Sequence, residues 1–237
     1  MKPAELFTIL AVFLANIIEA ITGFAGTMLA MPAAMQLIGV MDAKIVLNVV
    51  ALFVSSNLWL RNRNDVNRKE VGKLAGLMVI GMAAGLYLFN HLPVNWLSYL
   101  YGLLIILVAL KGLFVKKQVA LSRGVLLGIV LTAGIIHGMF LSGGALLVLY
   151  AMAVLKDKSV IRATLAPVWI ILNIIILAQD AFAGHVTPHC LLLAILCLPP
   201  VCLALYIGNL LHKRIPQEFF VHLTYVLLIL SGLSLFI

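Results

Sequence analysis

Apolar residues run along most of this chain in blocks that polar or charged residues separate. A helix needs about 20 apolar residues to cross a hydrocarbon layer of about 30 Å. The blocks predict eight long helices and an all-α fold, a polytopic transmembrane helical bundle. The predicted helices cover residues 4–22, 43–60, 73–90, 95–115, 121–140, 159–181, 188–208 and 218–237.

Two further apolar stretches, 27–41 and 144–155, are too short to cross alone. At 1.5 Å per residue they reach only about 22 and 18 Å. Each follows a long helix through a glycine break, Thr22–Thr27 in one case and Leu141–Gly144 in the other. Glycines also serve close packing of membrane helices, but a break after the first helix of each half favours two helical hairpins with tips inside the membrane.

The two hairpins resemble each other in sequence. Gly26–Leu29 aligns with Gly143–Leu146 at an offset of 117 residues, about half the chain, and an Asp and a Lys follow each short stretch. This internal similarity predicts one membrane domain made of two repeats, 1–118 and 119–237. Each repeat would hold a broken-helix hairpin and three spanning helices.

Composition excludes a soluble domain. Of the residues, 64% are hydrophobic and 10% charged, whereas soluble domains are about a quarter charged. The net charge of +8 comes from Lys and Arg in loops, so it predicts membrane topology and no nucleic-acid partner. Cys190, Cys197 and Cys202 share one apolar segment without metal-site spacing, so we expect packing residues, no metal and no cofactor.

The loops also fix the predicted orientation. Fourteen of the sixteen Lys and Arg residues fall on one face if the helices alternate, leaving only Lys2 and Lys44 opposite. Basic loops prefer the cytoplasm, which predicts a multi-pass protein of the bacterial inner membrane. An odd number of crossings per repeat inverts the two halves, an arrangement typical of secondary transporters.

The two glycine breaks are the predicted sites of anion binding. A helix that begins inside the bilayer leaves backbone N–H groups without partners, and an anion satisfies them. Asparagine and threonine on the following helices would complete the ligand shell, although such residues also bridge membrane helices. The predicted substrate-binding residues are Thr22, Gly23, Gly26, Thr27, Ser142, Gly143, Gly144, Asn48 and Thr164.

Two ionisable residues lie shortly before the breaks, Glu19 and His137. An ionisable residue at membrane depth is costly and usually faces a cavity, and histidine titrates in the physiological range. We hypothesise that the pair couples anion movement to protons. The alternative is that each side chain only hydrogen-bonds to a neighbouring helix.

The segment Ile21–Pro32, repeated loosely at Gly138–Leu146, resembles the duplicated glycine-rich motif of the sulfite exporter TauE/SafE family. Ala25 and Thr27 stand where the family's first motif carries glycine. The resemblance spans essentially the whole chain. It implies a small bacterial inner-membrane carrier of sulfur-containing or organic anions such as sulfite, thiosulfate and sulfoacetate.

The sequence therefore predicts a secondary anion transporter that works by alternating access. An intramembrane enzyme is disfavoured because the chain has no HExxH, GxSxG or paired membrane aspartates. An anion channel, or a membrane subunit of a larger transport complex, is the alternative function. The expected partners are a small anion and the lipid bilayer, and the sequence leaves a homodimer open.

Overall fold

The architecture comes from a computed structural model, which describes residues 2–22, 26–114, 122–155, 157–212 and 217–236. Within these ranges every regular element is a helix. Two of them are short 3-10 turns, Arg63–Asp65 and Ser234–Phe236. The α-helices are α1 (Pro3–Thr22), α2 (Gly26–Ile38), α3 (Val40–Asn62), α4 (Arg68–His91), α5 (Val94–Phe114), α6 (Arg123–Phe140), α7 (Gly144–Val154), α8 (Lys158–Phe182), α9 (Pro188–His212) and α10 (Gln217–Leu233).

Each predicted helix is present, with ends displaced by a few residues. One difference is at the junction of α2 and α3, where the short stretch was predicted to continue to residue 41. Gly39 has a φ of 87°, a left-handed conformation that glycine adopts without steric cost. This residue ends α2 at Ile38 and lets α3 begin at Val40.

Seven of the described helices are long and apolar enough to cross a membrane, namely α1, α3, α4, α5, α6, α8 and α9. Helices α2 and α7 have only 13 and 11 residues, which confirms the two short segments. Helix α10, predicted as an eighth span, has 17 residues, and its crossing stays a prediction. The polytopic helical membrane fold is confirmed.

Helix boundaries recur along the chain at a constant interval. Thr22 and Phe140 end the first helix of each half, Gly26 and Gly144 begin the short helices, and Val40 and Lys158 begin the third. Each pair is 118 residues apart, one more than the sequence alignment suggested. The shift places Glu19 and His137 at equivalent positions. The inverted orientation of the halves, and their division into 1–118 and 119–237, stay predictions.

The helices cluster into two compact units that interleave along the sequence. In the first unit α1 packs against α2 and α9, and α5 packs against α10. In the second unit α6 packs against α7 and α4, and α4 also packs against α8. Each hairpin therefore packs against the fourth helix of the opposite sequence half. The first unit is Met1–Leu47, Leu92–Gln118 and Thr187–Ile237, and the second is Asn48–His91 and Val119–Val186.

Glycines bring α4 and α6 into close contact in the second unit. Gly81 and Gly85 lie one turn apart on α4, and Gly134 and Gly138 lie one turn apart on α6. A Cβ atom on Gly85 would lie 2.1 Å from the carbonyl oxygen of Ile135. Small residues at this spacing let helix backbones approach in membranes, so this interface holds the second hairpin against the first half of the chain.

The short helix α7 is also attached to α4 by a buried hydroxyl. The Tyr150 hydroxyl lies 2.5 Å from Lys73 Nζ and donates to Glu70 Oε2 at 2.8 Å. Tyr150 is 1% exposed, and Lys73 and Glu70 lie in the first two turns of α4. Hydrogen bonds to charged groups are stronger than neutral ones, so this contact fixes the middle of α7 relative to α4.

Substituting a glycine of the α4–α6 interface tests its packing role. We expect Gly85→Ala to lower stability by about 1–3 kcal/mol, as overpacking does, because its methyl group would meet backbone and not a movable side chain. Thermal unfolding of the purified protein in detergent measures the change. Gly76→Ala in the same helix is the control, since no atom of the described residues outside the local helix lies within 4 Å of its Cβ position. Equal losses in the two variants would contradict this account.

Candidate functional site

The second hairpin turns at Leu141–Gly143, and the turn is buried in protein. Leu141 has a φ of 55°, and its backbone N–H donates to the carbonyl of His137 at 2.8 Å. The Ser142 hydroxyl donates to the carbonyl of Phe140 at 2.8 Å. The end of α6 is thus closed by local hydrogen bonds, and the predicted substrate donor Ser142 already uses its proton here.

Gly143 and Gly144 have different steric roles. A Cβ atom on Gly143 would lie 2.3 Å from the carbonyl oxygen of Ala133. For one on Gly144, the nearest atom of the described residues beyond its local helix is Trp169 Cζ2 at 3.9 Å. Gly143 has an ordinary φ of −68° and, as the N-cap residue of α7, supplies no side chain to cap the helix. Glycine is required at 143 for space, and the amino end of α7 beside Gly144 is sterically open to a small group.

A buried polar cluster lies beside this turn. His137 Nε2 is 3.0 Å from Asn173 Oδ1, and Asn48 Nδ2 donates to the backbone carbonyl of Asn173 at 3.2 Å. All three residues are at most 2% exposed. The rings of His137 and Trp169 have centroids 5.0 Å apart. Asn173 therefore links α3 and α6 through α8, and His137 lies about one helical turn before the break.

Asn48 keeps one unsatisfied atom in this cluster. Its side-chain oxygen is buried and has no hydrogen-bond partner among the described residues. Leaving a buried polar atom without a partner costs about 1–3 kcal/mol. Such an atom in a polar pocket is a place for a water molecule or a ligand group, so Asn48 is the predicted site residue whose geometry best suits ligand contact.

The first hairpin has a carboxylate at the corresponding place. A Cβ atom on Gly26 would lie 1.8 Å from Glu19 Oε2 and 2.8 Å from Glu19 Cδ. Gly26 is the first residue of α2 and is buried. A negative group is stabilised at the amino end of a helix, so the Glu19 carboxylate occupies the kind of position predicted for a bound anion.

The remaining predicted residues are dispersed. Thr164 Oγ1 accepts a hydrogen bond from the backbone N–H of Asn67 at 3.0 Å, in the link between α3 and α4. Thr164 is nine positions from Asn173 on α8, or about 13 Å along the helix, so it does not join the polar cluster. Thr27 is half-buried in the first turn of α2, Thr22 ends α1, and Gly23 lies outside the described residues.

Comparison with known proteins identifies the family. A family model described as Sulfite exporter TauE/SafE matches residues 8–235. The chain belongs to the sulfite exporter TauE/SafE family. It is also similar to a Comamonas testosteroni protein named "Probable inner membrane transporter protein TsaS", with 28% identity over 197 residues that cover 81% of this chain and 80% of the relative. No solved structure matches the chain.

Membership of the TauE/SafE family establishes the general function. The family and the relative are transporters rather than enzymes. Together with the seven apolar spanning helices, they make this chain a multi-pass membrane transporter of the bacterial inner membrane. The family predicted from the glycine-rich segments is confirmed.

Lys44 is a buried basic residue that was not among the predicted site residues. Lys44 lies in the first two turns of α3, where it is 1% exposed. Arg162 occupies the equivalent position on α8, 118 residues later. A buried lysine is costly unless it has a compensating group. Both basic residues can be found in the sequence, but an alignment of the two halves at an offset of 117 residues does not pair Lys44 with Arg162.

A double-mutant cycle tests the contact between Glu19 and Gly26. We expect Gly26→Ala to lower the stability of the native protein and to cost much less in a Glu19→Ala background, because the added methyl group overlaps the carboxylate. Residues in direct contact show coupling energies of about 0.5–3 kcal/mol. Thermal unfolding of the four proteins gives the coupling, and additive effects would place the Glu19 side chain elsewhere.

Proposed function

We propose that this protein is a secondary carrier of small anions, sulfur-containing or organic, that works by alternating access around its two glycine-rich breaks. The family description and the transporter relative support transport. The sulfur-anion class rests on that family description together with the motif Ile21–Pro32. Sulfite, thiosulfate and sulfoacetate are the substrates we propose to test first.

The open amino end of α7 is the observation that carries this proposal. Its first turn presents backbone N–H groups and the positive end of the helix dipole, and its N-cap is a glycine. A Cβ at the first helical position points toward the amino end of the helix. Among the described residues outside its own helix backbone and chain neighbours, the nearest atom to that position on Gly144 is Trp169 Cζ2 at 3.9 Å, so a methyl group fits there, and we propose that the anion binds beside it.

The polar cluster supports reversible binding. His137 and Asn173 are held to each other, while Asn48 retains a buried oxygen for a ligand or a bridging water. Hydrogen bonds from neutral groups are individually modest in strength. Transport requires that the anion also leaves, so a site built chiefly from backbone N–H groups and amides suits a carrier.

We also propose that Glu19 and His137 couple transport to protons. Each lies seven residues before the first residue of a short helix, Glu19 before Gly26 and His137 before Gly144. A carboxylate resting on the amino end of α2 competes there with an external anion, and protonation removes this competition. Proton uptake would then favour anion binding at the first break.

Counterflow in proteoliposomes tests the carrier. We expect uptake of labelled sulfite or thiosulfate to saturate with concentration and to accelerate when the same anion is loaded inside. A channel, or a subunit that needs a partner complex, would not show this acceleration. Acetate and phosphate serve as comparison anions, and equal rates for all of them would remove the proposed sulfur-anion preference.

Gly143 and Gly144 supply a matched pair of variants in that assay. We expect Gly144→Ala to keep the thermal stability of the native protein and to raise the half-saturation concentration about tenfold, a loss of about 1.4 kcal/mol. We expect Gly143→Ala to lower stability itself, because its methyl group would overlap the Ala133 carbonyl. Unchanged half-saturation in Gly144→Ala would move the binding site away from α7.

The coupling role is tested by the pH dependence of uptake. Replacing Glu19 and His137 together by Gln should flatten that dependence, because neither glutamine titrates. His91→Gln is the control, since His91 is an exposed histidine at the end of α4. An unchanged pH profile in the double variant would assign both residues to helix packing only.

A further inference from the structure

Three side chains with metal-binding atoms converge in the first unit. Asp42, His189 and Cys190 each offer one such atom, and the three atoms all lie within 4.8 Å of one another. Asp42 lies at the start of α3, and His189 and Cys190 lie at the start of α9. Cys190 Sγ is 3.3 Å from Asp42 Oδ1. Cysteine sulfur, imidazole nitrogen and carboxylate oxygen are the ligand atoms that zinc sites use.

The cluster is held in place by its surroundings. Thr187 Oγ1 accepts from the backbone N–H of Cys190 at 3.1 Å and lies 3.0 Å from its sulfur, which fixes the first turn of α9. Glu5 Oε1 on α1 lies 3.1 Å from His189 Nε2. Metal-binding histidines are commonly oriented by a carboxylate at the other ring nitrogen, so Glu5 is a positioning residue for His189.

The Cys190 and His189 side chains of the cluster differ in exposure. Cys190 is 0% exposed, whereas the side chain of His189 is 56% exposed. A metal ion can therefore enter beside the histidine and reach a thiol that is shielded from bulk solvent. Ligand atoms around a tetrahedral zinc ion are about 3.3–3.8 Å apart, given bonds of about 2.0–2.3 Å. Closing the cluster on an ion requires side-chain movements of about 1 Å.

We propose that Asp42, His189 and Cys190 form a binding site for a borderline-to-soft divalent metal ion of the Zn²⁺ class. The thiol binds as thiolate, so its proton is released to solvent when the sulfur–metal bond forms, and no electrons are transferred. Mg²⁺ and Ca²⁺ prefer oxygen ligands only, and the sulfur and nitrogen atoms select against them. The bound ion would join the amino ends of α3 and α9, with Glu5 linking α1.

Cobalt substitution tests the site in the purified full-length protein. We expect Co²⁺ to produce a thiolate-to-cobalt charge-transfer absorption and the intense visible bands of tetrahedral coordination, and added Zn²⁺ to abolish them. Cys190→Ser should lose the charge-transfer absorption. Cys197→Ser and Cys202→Ser are matched controls on the same helix, one buried and one exposed, and both should retain it.

Two further variants test the site even if Cys190→Ser does not fold. His189→Ala changes an exposed side chain and should weaken Cd²⁺ binding at least about tenfold, and Glu5→Gln should weaken it about 10–100-fold if the carboxylate orients the ring. Cd²⁺ titration by calorimetry measures both. Binding unaffected by His189→Ala, or a charge-transfer absorption that disappears in Cys202→Ser instead, would overturn the proposal. So would the absence of any saturable Co²⁺ or Cd²⁺ binding to the native protein.

Discussion

A buried helix amino terminus must find partners for its backbone N–H groups, and this constraint organises both hairpins. The first turn of a helix has no internal acceptors for these groups, and protein packed around them excludes water. Gly26 and Gly143 are both buried at such termini. The protein meets the requirement differently in its two halves, which gives the two breaks different chemical characters.

The first break contains its own negative group. The Glu19 carboxylate rests on Gly26, so α2 is stabilised when Glu19 is ionised and no external ion is needed. At the second break the equivalent position holds His137, whose ring contacts Asn173 and leaves the amino end of α7 without an acidic partner at that position. We therefore propose that the two breaks, although similar in sequence, differ in affinity for an anion because one carries Glu19 and the other His137.

The helices could be predicted from the sequence because spanning a membrane requires long apolar segments. Helices α2 and α7 could be predicted as parts of hairpins because their apolar segments are too short to span. Which helices pack against each other could not be predicted in this way. Lipid is as apolar as leucine, so an apolar face does not reveal whether it meets lipid or another helix. The contact of Cys190 with Asp42 spans 148 residues, and the burial of Lys44 depends on tertiary packing. Gly85 and the exposed Gly76 both stand between Ala and Leu in the sequence, and only the neighbouring backbone distinguishes them.

Exchange of helices between the halves has a consequence for biosynthesis. Helix α1 packs against α9, which the ribosome synthesises only after α8, whereas α4 is synthesised before α6. The amino-terminal hairpin therefore lacks its final neighbour while α3 to α8 are synthesised, and its buried polar atoms must be tolerated by lipid, water or the insertion machinery during that time.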